Sequence, residues 1–294
     1  MITNNITHQK ITTNSTFHGL PIMCAVKNPC YVEIINKTYR ELTLLSARYN
    51  RIIVVRLDFK LSDFAYASKV NISQFRRSFV RKMEKKYNSK IGFQWVREFG
   101  KSDKTNPTHW HWWVAMKACK KNKPAIHAQR IHTAALEAWV THTDSIHSKV
   151  NNAGYFSINR KDLSVEGRKL QQLIIANGPS ENQSDVLTDR KVIANRALSN
   201  VVVGGVFDEC FYALSYMAKL YTKTSTKNTK GKPIFANSNL NTNDKKSGRK
   251  EVIERNLSKI HEWLKVPLDT MPLTYKTKVR IKKKKDESEL LTDL

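Results

Sequence analysis

The chain has 294 residues, 40% of them hydrophobic and including six Trp, ten Tyr and eleven Phe. That is enough apolar and aromatic material for a folded core and excludes global disorder. Fifty-one Lys and Arg against 25 Asp and Glu leave a net charge of +26, which points to a polyanionic partner or an anionic membrane surface and away from a plain small-molecule enzyme. No apolar run reaches the roughly 18 residues of a membrane span, because Asp208 and Glu209 interrupt the best candidate between Val201 and Tyr221.

In chain order, residues 1–30 are Thr- and Asn-rich and read as a polar arm. Ile2 to Ser15 lacks a signal-peptide core. Cys24, Cys30, Cys119 and Cys210 form no close CxxC pair and too sparse a set for a disulfide scaffold, and a cytoplasmic protein is expected. Near-helical spacing of Ile34, Ile35, Tyr39, Leu42 and Leu45 predicts a helix over 31–49. The β-branched run Arg51 to Phe59 predicts a strand, with Ile53, Val55, Leu57 and Phe59 on one face and Ile52, Val54, Arg56 and Asp58 on the other. A basic helix over 70–87 follows, opened by a cap at Asn71 to Ser73. Strands over 90–99 and 108–116 flank a polar loop containing Gly100, Asn106 and Pro107, then come a helix over 125–141 and a short strand over 154–158. Residues 160–200 show no assignable pattern. Val201 to Val206 is β-rich, and a helix is expected over 208–221. Residues 226–250, rich in Thr, Asn, Lys, Ser and Gly, read as a linker. Beyond it, 251–294 carries a helix with Ile253, Leu257, Ile260 and Leu264 on one stripe, and a basic tail, Lys276 to Lys285. Helix and strand alternate through one domain, 31–225, of the α/β (α+β) class.

The sharpest motif is His109-Trp110-His111 in the strand THWHWWVAM. Period two puts His109, His111, Trp113 and Ala115 on one face, and Trp110, Trp112, Val114 and Met116 on a wholly apolar face that packs on helices. An isolated His-x-His is most often two surface histidines. On the non-core face of a central strand, however, two imidazoles can converge on one metal ion. Glu98 ends the preceding strand, with Gln94 and Val96 on its face; if the two strands pair, it lies beside the histidines. Two His and a carboxylate leave room for water and a phosphate oxygen, which suits Mg²⁺ or Mn²⁺ as a Lewis acid. Asp58 is the second candidate carboxylate.

On the helix FDECFYALSYMAKLYTK, Tyr212, Tyr216, Lys219 and Lys223 fall within roughly 60° of one another. A phenol can attack a phosphodiester and conserve the bond energy as phosphotyrosine. Lys219 can neutralise the scissile phosphate or the developing phenolate. Helical geometry assigns Tyr221 to packing but does not rank Tyr212 against Tyr216; the three-residue spacing to Lys219 favours Tyr216. Arg56, Arg76, Arg77, Arg81, Lys82 and Lys223 are candidate DNA contacts, and the tail adds a second basic patch. Gly100-Lys101-Ser102 is no P-loop, since Trp95 stands where its first glycine would be. His127, His132, His142 and His147 lack metal-pair spacing.

Together, the HxH strand, the upstream carboxylate and the Tyr-x-x-Lys helix resemble the HUH endonucleases: rolling-circle initiators, relaxases and related transposases. More narrowly, RLDF (56–59), WVREFGKS (95–102), HWHWWVAM and LSYMAKLYTK resemble the replication-initiation proteins of filamentous phages (inoviruses), the YagK/YfjJ C-terminal domain family, over about residues 31–225. The resemblance implies a central antiparallel sheet with flanking helices and a metal held by His109, His111 and Glu98. It implies Tyr216 as nucleophile with Lys219 as helper; Tyr212 leaves open whether one or two tyrosines act. The second position of the HUH motif is here the bulkier Trp110. The implied reaction nicks one strand at an origin, leaving a 5′-phosphotyrosine and a 3′-OH primer, then rejoins it. The implied partners are single-stranded origin DNA or an extruded hairpin, stacked on sheet Trp and Tyr side chains, and a host helicase and polymerase in the bacterial cytoplasm. A relaxase or transposase shares the chemistry, and a non-catalytic DNA-binding regulator is the rival from another class.

Overall fold

The computed structural model describes residues 2–3, 10–60, 72–98, 109–119, 123–143, 149–168, 206–220, 235–242 and 248–265. Five short strands open the chain: β1 (Ile2–Thr3), β2 (Lys10–Thr12), β3 (Thr16–Phe17), β4 (Leu20–Pro21) and β5 (Cys30–Tyr31). Helix α1 (Val32–Arg48) leads into β6 (Arg51–Lys60), α2 (Ile72–Tyr87), β7 (Gly92–Glu98), β8 (His109–Lys117), α3 (Pro124–Thr143) and β9 (Lys149–Asn159). After a 3₁₀ turn at Arg160–Leu163 come α4 (Val206–Ser215), β10 (Phe235–Asn237) and α5 (Arg249–Lys265). The expected loop at 100–107, most of 160–200, the β-rich run 201–205, Tyr221, Lys223, His147 and the basic tail lie outside the described residues.

The main sheet has the order β10-β7-β8-β6-β9, and every neighbouring pair is antiparallel. Helices cover both of its faces. On one face Phe75, Phe79 and Met83 of α2 and Ile131, Ala135 and Trp139 of α3 pack on Ile53, Val55, Leu57, Phe59, Trp110 and Trp112. Phe75 stands edge-on to Phe59, Trp112 and Trp139 at 5.1–5.3 Å between ring centroids. Each such fully buried side chain stabilises by about 1.5–3 kcal/mol. On the other face α1, α4 and α5 bury Ile52, Val54, Val96, Trp113, Ala115 and Phe156. Burial on both faces is why Ile52 to Val55 reads as a continuous apolar run rather than an alternation.

The histidine-bearing face is therefore not a solvent face, as the alternation suggested. Its middle is core, and only one end is polar. Nor are the sheet tryptophans available for stacking: Trp95, Trp110, Trp112 and Trp113 are 0–3% exposed. Gly92 lets α1 settle close to β7, since a Cβ there would come within 2.5 Å of Leu45 Cδ1.

Three segments depart from the sequence reading. The 1–30 stretch is no free arm: Leu20, Ile22, Cys24 and Cys30 join the core beneath α1, and Cys24 is disulfide-bonded to Cys30. Their apolar side chains were hidden among Thr and Asn. Within the expected linker, β10 adds an edge strand to β7. Ser238 and Leu240 then bond the buried Glu41 of α1, through the Ser238 hydroxyl (2.5 Å) and the Leu240 N–H (3.3 Å). Helix α5 packs Ile253, Ile260 and Leu264 into the core as the stripe predicted, so it is an integral layer rather than an appendage. The short strand expected at 154–158 runs the full length of β9.

Candidate metal and nucleophile site

On the α1 face each central strand is apolar at one end and polar at the other. β6 runs from Ile52 and Val54 to Arg56 and Asp58; β7, past the buried amide of Gln94, from Val96 to Glu98; β8 in reverse, from His109 and His111 to Trp113 and Ala115. Antiparallel register stacks the polar ends together: Asp58 is paired with His111, Glu98 with His109 and Arg56 with Trp113. A buried amide closes the core behind them. Gln94 Oε1 accepts from the Thr38 hydroxyl (2.5 Å) and the Trp113 indole N–H (3.2 Å), while its Nε2 donates to the Ile34 carbonyl (3.2 Å).

Within the polar end, Glu98 Oε2 lies 3.1 Å from His109 Nε2 and 3.0 Å from His111 Nε2. One ligand atom from each of Glu98, His109 and His111 falls within 4.8 Å of the others. Asp58 stands on the other side of the His111 ring, its Oδ1 accepting from Nδ1 at 2.6 Å. That bond leaves Nε2 as the ring atom turned toward Glu98. The 3.0 Å approach is off hydrogen-bond alignment, and this buried nitrogen makes no hydrogen bond among the described residues. Two imidazole nitrogens and a carboxylate oxygen aimed at one point fit a divalent metal, with Asp58 as the outer partner that orients and polarises a ligating His. Asp58, the alternative acid, thus serves His111 rather than replacing Glu98.

Electrostatics couple the group. Burial alone would raise the Asp58 pKa, but the hydrogen bond and charge of His111, with Arg56 beside it, hold the carboxyl below its usual value. For His111 burial works to lower the pKa, and the Asp58 hydrogen bond with the carboxylates of Asp58 and Glu98 beside the ring outweighs it to raise it. Arg56 reaches within 3.5 Å of Asp58 Oδ1 and 3.4 Å of His111 Nδ1. Beside it the β6–β9 register slips between Arg56 and Leu57, where Gly154 takes φ +119°. Such bulges re-aim a strand's side chains.

Tyr216 completes the constellation. Its ring meets His111 edge-on at 5.7 Å, with Lys219 Nζ 4.5 Å and Arg56 Cζ 5.0 Å from its centroid. Burial lowers the Lys219 pKa, Glu98 opposes that, and Arg56 adds to it. The expected continuous helix over 208–221 is not observed: α4 ends at Ser215, and Tyr216–Ala218 form a 3₁₀ turn. The cause is tertiary. The Ser215 hydroxyl donates to the Tyr212 carbonyl (2.6 Å) and accepts the Met23 N–H (2.7 Å). The Leu220 N–H donates to the Pro29 carbonyl (2.9 Å), and Lys219 bridges Cys30. The N-terminal segment thus sets the pose of Tyr216 and Lys219, a role with no sequence signal beyond the Cys-flanked loop.

The two tyrosines of the stripe differ in exposure. Tyr216 is partly exposed beside the histidines, whereas Tyr212 is 7% exposed on α4 and its phenol pKa is raised by burial. Arg76, Arg77, Arg81 and Lys82 sit on α2, across the sheet from the cluster. No protein-family model and no curated protein matches the chain.

Proposed function

We propose that this chain is a metal-assisted DNA nicking and strand-transfer enzyme of the HUH type, acting as a rolling-circle replication initiator. The observation that carries the reading is the placement of a partly exposed tyrosine, Tyr216, against His111, beside the Glu98–His109–His111 group and under two cations. Glu98, His109 and His111 would hold the ion, and their imidazole donors favour Mn²⁺ over Mg²⁺. When bound, the ion supplies Lewis-acid stabilisation of a phosphodiester oxygen.

The residues divide the remaining work. Tyr216 Oη forms the bond to phosphorus as the bond from phosphorus to the 3′ oxygen breaks. The phenol loses a proton and the departing oxygen gains one, so a 5′-phosphotyrosine and a 3′-OH result. Arg56 and Lys219 neutralise phosphate charge around the Tyr216 ring. Asp58 fixes the orientation of His111 and keeps its Nδ1 engaged. Attack of a 3′-OH on the phosphotyrosine reverses these bond changes and reseals the strand. In the bacterial host the 3′-OH would prime a polymerase, with unwinding by a separate helicase.

The test is covalent adduct formation between the full chain and a 3′-labelled single-stranded origin oligonucleotide in Mn²⁺, since the 5′-phosphotyrosine holds the fragment downstream of the cut. Tyr216→Phe keeps the ring and removes only the attacking oxygen; the adduct band should vanish while Tyr212→Phe retains it. Adduct at Tyr212 would transfer the nucleophile role. DNA binding without any adduct in the wild-type protein would leave a non-catalytic DNA-binding regulator as the better reading.

A further inference from the structure

The sheet separates the metal cluster from the densest cationic helix. α2 and α3 together carry seven Lys and Arg, six of them on α2, against two Glu. Both Glu are engaged: Glu137 with Lys82 at 2.9 Å and Glu84 with Lys90 at 3.8 Å. Phe75, Phe79 and Met83 face inward, so the outward side of α2 presents Arg77, Arg81 and Lys85, all exposed, at i, i+4 and i+8. At 1.5 Å per residue this row is about 12 Å long, and one duplex strand offers a phosphate about every 3.4 Å along its axis. Exposed Arg130 of α3 extends the patch: its charge acts on Tyr87, at the end of α2, and on His127.

We infer that the outer face of α2 and α3 is a second nucleic-acid surface, one that holds the backbone of duplex DNA on the side of the sheet opposite the metal cluster. Duplex is favoured over single strand by what the described residues of the row lack. Phe75, Phe79, Trp112 and Trp139 are fully buried, and half-buried Tyr87, beyond Lys85 at the end of α2, packs on His127, so among the described residues no aromatic ring is interleaved between Arg77, Arg81 and Lys85 for unpaired bases to stack on. Straight, regularly spaced, purely charged contacts suit sequence-independent phosphate binding. The inference goes beyond strand transfer and does not depend on Tyr216 chemistry. An initiator built this way would keep flanking duplex on one face while one strand is cut at the other.

The experiment is fluorescence anisotropy of the full chain with a labelled duplex of about 20 base pairs, in EDTA, from about 50 to 200 mM KCl. EDTA removes nicking, so the outcome is independent of the proposed activity. Substituting Arg77→Gln, Arg81→Gln and Lys85→Gln together should make the slope of log affinity against log salt shallower by about 2.7, at about 0.9 per phosphate contact. The affinity deficit relative to wild type should then be about 40-fold larger at the low-salt end than at the high-salt end. An Arg77→Lys/Arg81→Lys protein should keep the wild-type slope, because point charges suffice for phosphates. A single-stranded oligonucleotide of equal length should show a much smaller change. An unchanged duplex slope in the triple variant overturns the inference, and so does an equal change on duplex and single strand.

Discussion

Replacing Asp58 by Asn and Glu98 by Gln separates the proposed ligand from the residue proposed to orient one. Asp58 Oδ1 takes the Nδ1 proton of His111 at 2.6 Å while Glu98 shares the space in front of Nε2. In Asp58→Asn the amide oxygen can still accept that proton, so the ring keeps its tautomer but loses the carboxylate that makes it a stronger donor. Outer partners of this kind contribute about 10- to 100-fold to metal affinity. With Mn²⁺ at about 100 times the wild-type Kd, binding stabilises the fold by about 2.7 kcal/mol. For a domain of this size that raises Tm by roughly 5–11 °C. A 30-fold loss in Asp58→Asn leaves about 0.9 kcal/mol at the same Mn²⁺ concentration, a shift of about 2–4 °C. Glu98→Gln removes a ligand, and its shift should be close to zero. Calorimetric thermal scans in Mn²⁺ and in EDTA, with a direct Kd titration, read all three. A wild-type shift preserved in Glu98→Gln would refute the assignment of the cluster. Equal losses in both variants would make Asp58 a ligand and the orienting argument wrong.

Ser238→Ala should destabilise the fold by about 1–3 kcal/mol in urea unfolding, because it strips partners from buried Glu41 and from the Phe93 N–H together. Faster hydrogen exchange at Phe93 would localise the loss to the β7 edge. Asp208→Ala leaves buried Arg168 without the carboxylate now 3.0 Å away, a loss of about 3–5 kcal/mol measurable by the same unfolding curves; a change under 1 kcal/mol would show the pair to be dispensable. His127 accepts the Cys119 N–H, and its pKa is lowered to about 4 by burial, with Arg130 and Arg51 adding to the effect. A depressed histidine pKa stabilises fully above its unfolded value near 6.5, and that contribution is lost as pH falls toward 4. Wild-type stability should therefore drop more steeply across that window than that of His127→Gln, and parallel pH profiles would contradict the argument.

Local pattern determined much of this protein. Period-two parity in RIIVVRLDF, FQWVREF and THWHWWVAM assigned every described side chain to its correct face, because a strand's alternation is a property of the backbone alone. The same parity put His109 and His111 on one face of their strand and Asp58 on the polar face of its own; that Glu98 and Asp58 lie beside the histidines depended on strand pairing, which the register supplies. Helical periodicity likewise marked α1, α2, α3 and α5, whose apolar stripes are continuous in sequence. Only the tertiary structure decided what those faces meet. A histidine face that looked solvent-directed is half core, because α1, α4 and α5 come from segments distant in sequence to cover it. The spacing to Lys219 already favoured Tyr216 over Tyr212; its pose against His111 comes from the end of α4 at Ser215, where the Met23 N–H and Pro29 carbonyl bond from nearly 200 residues away. Residues 235–242 carried a linker's composition, yet a three-residue edge strand needs little propensity when β7 offers it unpaired backbone groups and Glu41 an acceptor. Charge is additive along a chain, so the net +26 was legible at once; its division between two faces of a sheet is a fact of packing.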